Sequence, residues 1–283
     1  MKLKKDKLYK TDIAVVGDSV EFDFNEDKTG VIHSIEQRNN YLSRKAPKIK
    51  GASYRGERLE QIVAANIDNL FIITSAALPE FNNKVIDRFL VTAESSNINS
   101  IIVINKADLD KNNLSSEWAE FYKKIGYDVI CTSTITNQNI NRLKGLIKDK
   151  KNLFWGQSGV GKSSLINKIY PEFDLNIGDI STYNDKGKHT TVTSVMIEVE
   201  KETFVIDTPG VREIAPYGIK KEDLGHYFIE FSDYASECKF NTCIHHHEPG
   251  CKVIVAVEEE RISIERYDSY LRILDTIEDD IIF

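Results

Sequence analysis

Eight consecutive residues carry the plainest chemistry in this sequence. Gly156, Gln157, Ser158, Gly159, Val160, Gly161, Lys162 and Ser163 fit the pattern G-x-x-x-x-G-K-[ST]. A loop of that composition turns its backbone N–H groups onto phosphate oxygens, and a helix starting behind it adds its positive dipole end. Lys162 would bridge the β- and γ-phosphates, and the Ser163 hydroxyl would ligate Mg2+. The flanks agree. An apolar run over 153–155 precedes the loop, and Ser164 opens a helical stretch reaching Ile169.

Two further motifs say which nucleotide. Asp207, Thr208, Pro209 and Gly210 follow the apolar run 204–206. A carboxylate at a strand end, beside a glycine that can approach the γ-phosphate, suits a Walker-B aspartate and a switch. Asn105, Lys106, Ala107 and Asp108 end another apolar run. The Asp108 carboxylate is an acceptor that can take the N1 and N2 hydrogens of guanine, which adenine cannot supply. Asn105 can tie the base edge to the loop, and the Lys106 stem can cover the base. Ser133 and Thr134, after the run 128–132, are placed for the remaining base contact. Alone, N-K-x-D could be a helix cap and D-T-P-G a plain turn. Together with the phosphate loop they select GTP and argue against an ordinary ATPase. Cys131 reads as a small core residue.

These loops need strands to hold them. Apolar runs over 69–74, 100–104, 128–132, 153–155 and 204–206 alternate with helical periods such as Val85, Ile86, Phe89, Leu90 and Ala93. That is the pattern of a mostly parallel, doubly wound α/β sheet. The order of the motifs decides the topology. An ordinary GTPase runs phosphate loop, switches, then N-K-x-D, whereas here Asn105 precedes Gly156, which precedes Asp207. The domain, 65–221, is read as circularly permuted. Permutation preserves the site because chain ends lie at the surface and can be rejoined there.

The chain changes character on either side of this domain. Residues 1–64 hold short alternating pieces, 18–24 and 30–35, that predict a small antiparallel β domain. Between Arg38 and Arg58 stand seven Lys/Arg against one Glu, with Tyr41 and Tyr54 among them. That run is either a solvated loop or a phosphate-binding strip with stacking rings. Residues 222–283 hold a Cys/His cluster, then a helical stretch over 257–277. Cys238, Cys243 and Cys251 lie beside His245, His246 and His247, in a chain with four cysteines in all. Such clustering points to metal rather than disulfides. Three thiolates and one imidazole make a closed tetrahedral zinc site, structural rather than catalytic. The tail, with nine Asp/Glu against four Lys/Arg over 252–283, is no phosphate surface.

At 283 residues, with 41% hydrophobic and 29% charged residues and a net charge of −7, the chain can form two or three domains. It is too apolar for disorder, and too acidic for a general nucleic-acid coat. No apolar run approaches the ~20 residues of a membrane span. No apolar stretch follows the basic first ten residues as a secretory signal requires, so a cytoplasmic chain is expected.

The permuted order and the three nucleotide motifs resemble the ribosome small-subunit-dependent GTPases. So does Cys238-x4-Cys243-x-His245-x5-Cys251, with Glu248-Pro-Gly before its last ligand. These are bacterial permuted GTPases that assist late small-subunit assembly, and the likeness covers nearly the whole chain. It implies His245 as the fourth zinc ligand, an N-terminal OB-fold suited to RNA, and the small subunit with its rRNA as partner. A monomer that binds neither DNA nor membrane is expected. Sixteen residues precede Gly17 where the family usually places two strands, so either the OB-like unit is shortened or the true start lies upstream. The segment Lys186-Gly-Lys-His-Thr-Thr191 looks like the family's first switch. Ras-like enzymes carry a water-orienting glutamine just after D-x-x-G, a position held here by Val211. His189 is expected to position or deprotonate the water instead, and Thr191, with Thr190 as the less favoured alternative, to join Ser163 on Mg2+. A γ-phosphate bond to the Gly210 N–H would order the second switch, which leads on to Cys238 and should move the zinc module. The alternative function is a nucleotide-gated RNA-binding module whose turnover is incidental.

Overall fold

The computed structural model describes residues 14–27, 29–45, 60–173, 194–207 and 218–277. His189, Thr191, Gly210, Val211 and residues 46–59 of the basic run lie outside them. Four short strands come first: β1 (Val20–Phe24), β2 (Gly30–Ile35), β3 (Tyr41–Lys45) and β4 (Glu60–Ala65). They form two antiparallel pairs, β1 with β2 and β3 with β4. This is the small OB-like unit. Ala65 anchors it to the chain segment before β1, donating its N–H to the Val16 carbonyl at 2.9 Å.

The central sheet contains β5 (Asn69–Ser75), β6 (Asn99–Asn105), β7 (Asp128–Cys131), β8 (Lys151–Trp155), β9 (Val195–Glu200) and β10 (Thr203–Asp207). Their order is β7-β6-β5-β8-β10-β9. All neighbours are parallel except β9, which runs antiparallel along β10. The register sets Asn105 opposite Ser75 and Trp155 opposite Ile72, so the strand ends form one edge. β5 is buried along its whole length because helices cover both faces. Leu70 and Ile72 face a core shared with α1 (Asn83–Ser95) and α2 (Leu114–Ile125). Phe71 and Ile73 face a core shared with α3 (Ile140–Ile147) and α4 (Lys162–Ile169). Each fully buried Leu, Ile or Phe contributes about 1.5–3 kcal/mol. β9 escapes the apolar-run reading because it is a half-exposed edge strand, burying Val199 and little else.

Permutation requires α3 to lead into β8, and three asparagines hold that join. The Asn152 amide, fully buried, donates to the carbonyls of Ile147 (2.8 Å), Lys150 (2.9 Å) and Phe204 (3.1 Å). Asn69 donates to Asn152 at 3.1 Å, and Asn99 to Asn69 at 2.8 Å. The new connection is thereby satisfied at the end of the sheet opposite the motifs.

After residue 218 come α5 (Ser232–Ala235), α6 (Lys252–Glu258) and α7 (Ile264–Leu274). The helical stretch expected over 257–277 is therefore divided. Glu260 adopts φ 57°, and the N–H groups of Arg261 and Glu260 turn back to the carbonyls of Ala256 (2.8 Å) and Val257 (3.1 Å). That is a Schellman ending without glycine. Ser263 then caps α7, accepting from the Glu265 and Arg266 N–H groups. The core of this module includes Val91 of α1 together with Leu224, Phe228, Tyr270 and Ile273, so it is packed onto a helix of the central α/β domain. Among the described residues, no helix is long and apolar enough to cross a membrane.

Candidate nucleotide site and metal cluster

Every described nucleotide motif lies at the carboxyl edge of the sheet, where strand ends hand over to loops. β8 ends at Trp155, and residues 156–161 turn the chain into α4, whose first residue is Lys162. Gly161 closes that turn at φ +98°, and a Cβ there would stand 2.4 Å from Asn105 Nδ2. A side chain is excluded on both counts. Val160 is buried beneath the loop, while Gln157, Ser158 and Gly159 are exposed and Ser163 and Ser164 are half-buried in the first helical turn. The Lys162 Nζ donates to the carbonyls of Gly156 (2.7 Å) and Gln157 (3.1 Å).

β6 delivers the second motif against the first. Asn105 is 1% exposed. Its Nδ2 donates to the Val160 carbonyl (2.9 Å), and its Oδ1 accepts from the Thr132 hydroxyl (3.1 Å). Lys106, at φ 58°, reaches across so that Nζ donates to the Gly159 carbonyl (2.6 Å) and to that of Leu78. Asp108 is exposed, and its Oδ1 accepts from the Ser133 hydroxyl at 2.5 Å. The Ser133 oxygen accepts in turn from the N–H groups of Ile135 (3.2 Å) and Thr136 (3.1 Å), with Thr134 half-buried beside it. An exposed carboxylate is thus fixed in direction, beside a cationic stem and a phosphate-type loop. This arrangement can accept two N–H groups from a purine edge while holding a polyphosphate. Asp207 ends β10, the strand next to β8, at the same edge of the sheet.

The metal candidates converge in the C-terminal module. One ligand atom each from Cys238, Cys243, His245 and Cys251 lie within 4.8 Å of one another. Cys238 Sγ is 3.9 Å from Cys251 Sγ and 3.7 Å from His245 Nδ1, and His245 Nδ1 is 3.4 Å from Cys251 Sγ. Tetrahedral bonds to zinc would place sulfurs about 3.8 Å apart and sulfur and nitrogen about 3.6 Å apart. The donor set fits. His246 and His247 are exposed and outside the cluster. Their N–H groups are held by the Glu248 carboxylate at 3.0 and 3.2 Å, which also accepts from Ile244 N–H at 2.8 Å. These bonds shape the knuckle and hold the Glu248 carboxyl below its usual range against the opposing effect of burial.

In the basic run, Arg38 is committed elsewhere. Its Nε and Nη2 donate to the two Asp18 oxygens at 2.7 and 2.8 Å, a bidentate pair that is 15% and 1% exposed. Arg44 donates to Gln61 at 3.0 Å.

The model of the RsgA GTPase family matches residues 35–216, more than half of the sequence. The chain belongs to the RsgA GTPase family. A small ribosomal subunit biogenesis GTPase RsgA from Chlorobaculum parvum is 40% identical over 273 residues, covering 95% of this chain and 87% of that protein. One from Phocaeicola vulgatus is 39% identical, covering 95% and 86%. The crystal structure of YjeQ from Thermotoga maritima superposes with a TM-score of 0.72 at 33% identity, over 93% of this chain and 84% of that one. That of YloQ, a circularly permuted GTPase, gives 0.70 at 30% identity, over 98% and 83%. This RsgA-family chain is a GTPase of permuted topology.

Several groups around these sites went unmarked in the sequence. The Leu78 carbonyl and Thr132 hydroxyl hold Lys106 and Asn105, yet neither belongs to a motif. Gly225 lies against the His245 ring, where a Cβ would stand 2.8 Å from Cδ2 and 2.9 Å from Nε2. Tyr267 and Tyr270 donate to the His245 (2.8 Å) and Ile244 (2.5 Å) carbonyls. Only the 238–251 segment itself gave a signal; these supports lie outside it on either side.

Proposed function

We propose that this GTPase acts on the small ribosomal subunit during its late assembly, with rRNA as its main contact and the subunit as the stimulator of its turnover. One observation carries the reading. The phosphate loop, the Asn105–Asp108 segment and Ser133 meet at one sheet edge in permuted chain order, in a chain whose relatives carry the name small ribosomal subunit biogenesis GTPase.

In this reading Asp108 recognises guanine, Asn105 and Ser133 fix its surroundings, Lys106 covers the base, and Thr134 adds the remaining contact. Gly156, Gln157, Ser158, Gly159, Val160, Gly161, Ser163 and Ser164 cradle the phosphates, and Lys162 leaves the loop carbonyls to bridge β and γ. Mg2+, held through Ser163 and Thr191 with Asp207 nearby, would neutralise charge building on the leaving diphosphate. Gly210 N–H senses the γ-phosphate. His189 orients the attacking water, a role Val211 cannot fill. Zinc, held by Cys238, Cys243, His245 and Cys251, stiffens the C-terminal module. The working units are 1–64 for RNA, 65–221 for GTP and 222–283 for zinc, acting as a monomer in the cytoplasm. Since Arg38 is paired with Asp18, phosphate contact falls to Arg44, Lys45, Lys48 and Lys50.

The test is co-sedimentation with purified small subunits in a non-hydrolysable GTP analogue and in GDP. Retention with the analogue and release with GDP are expected. No retention in either state would overturn the assignment of partner.

A further inference from the structure

The C-terminal module is joined to the GTP-binding domain by buried charge. Arg266 of α7 and Asp87 of α1 have side chains 1% and 0% exposed. Arg266 Nη1 donates to Asp87 Oδ1 at 2.6 Å. Its Nε and Nη2 grip both Glu230 oxygens at 2.6 and 3.1 Å, and its guanidinium lies 4.4 Å from the Phe228 ring centroid. The Tyr122 hydroxyl of α2 donates to the same Asp87 oxygen at 2.8 Å. Displacing Arg266 would leave the buried Asp87 carboxylate without its counter-charge, and displacing Asp87 would leave Arg266 with Glu230 alone. A Lys84–Asp268 pair at 3.0 Å repeats the α1–α7 contact at the surface.

On one side this joint reaches the metal cluster. One residue along α7, the Tyr267 hydroxyl holds the His245 carbonyl, and Tyr270 holds that of Ile244. On the other side it reaches the nucleotide loops. α1 begins at its Asn82 cap, and the loop just before it supplies the Leu78 carbonyl that Lys106 grips together with Gly159. We propose that Arg266 is a positioning residue that couples the metal cluster to the nucleotide pocket through α1, so that zinc and guanine nucleotide each strengthen the binding of the other. The proposal rests on reading the cluster as a zinc site. Zinc fixes residues 238–251, those residues fix α7 through the two tyrosines, and Arg266 passes the constraint to α1 and the Leu78–Lys106–Gly159 contact. This route is separate from the second switch. It makes the module a brace for the pocket in the GDP state as well as in the GTP state, and it acts by pre-ordering rather than by a shape change.

The experiment uses the full chain. Zinc affinity is measured by competition with a chromogenic chelator, with and without GDP, and GDP affinity is measured with and without zinc. In the wild type, GDP should raise zinc affinity at least about fivefold, and zinc should raise GDP affinity by the same factor, as linkage demands. Arg266→Lys keeps the charge but loses the fork, and Asp87→Asn removes the acceptor charge. Each variant should still bind both ligands, with the factor falling to about one. A merely structural Arg266 would lower the thermal midpoint and leave the factor unchanged, which overturns the proposal. Independent binding of zinc and GDP by the wild type overturns it without any variant. A chain that binds GDP but no zinc overturns the zinc reading and the coupling together.

Discussion

Asn105→Ala removes the amide that ties the two nucleotide loops together. In the wild type it donates to the Val160 carbonyl at 2.9 Å and accepts from the Thr132 hydroxyl at 3.1 Å. Both partners belong to residues at most 1% exposed, so water does not replace the lost bonds. At about 1–2 kcal/mol for each buried partner left unpaired, the loss is about 2–4 kcal/mol. The loops must then be re-ordered by the ligand, so the loss emerges in affinity. At ~1.4 kcal/mol per tenfold, GDP binding should weaken by about 30- to 1,000-fold. Thr132→Val breaks one of the two bonds and should cost about half as much on the logarithmic scale. Calorimetric titration of GDP gives both affinities, and a urea melt without nucleotide separates global destabilisation from pocket effects. If Asn105→Ala binds GDP within threefold of wild type, the amide does not brace the pocket and the account of Gly161 and Val160 built on it fails.

Other positions respond differently. Asp108→Asn puts a mismatched amide against the guanine edge and should cut the preference for GDP over ADP by ~1–3 kcal/mol, or roughly 5- to 150-fold; an unchanged preference in parallel titrations would remove Asp108 from base recognition. Gly225→Ala pushes a methyl group into the His245 ring, now 2.8 Å from the Cβ position, and should weaken zinc binding by about 10–100-fold, the usual effect of disturbing a ligand's support. Equal zinc affinity in chelator competition would show that the ring has room to move. Neutralising Arg44, Lys45, Lys48 and Lys50 should weaken subunit binding and flatten its salt dependence, whereas an unaltered slope would place the RNA contact on another surface.

Local patterns made much of this molecule legible. The strands β5, β6 and β8 are continuous apolar runs because helices cover both faces, and the phosphate loop and the Asn105–Asp108 segment are contiguous motifs at their ends. Motif order alone exposed the permutation. Features that depend on distant partners left no such trace. Arg266 and Asp87 are 179 residues apart, and nothing around either marks a buried pair. Arg38 reads as one more cation in a basic run until Asp18 is found beside it. The break between α6 and α7 was hidden because Glu260, not glycine, takes the left-handed position that ends α6. For the fourth zinc ligand the residues left three adjacent histidines open by chemistry and only the family spacing favoured His245; in the folded chain His245 is buried in the cluster, while His246 and His247 are exposed outside it with their N–H groups bonded to the Glu248 carboxylate.

Steady-state GTP turnover with and without purified small ribosomal subunits separates the proposed subunit-stimulated GTPase from a passive nucleotide-gated binder. Slow intrinsic hydrolysis, rising severalfold or more with subunits, is the expected result, and His189→Ala should abolish most of the rise while leaving GDP affinity near wild type. A turnover rate that small subunits leave unchanged would instead mark the chain as a passive nucleotide-gated binder.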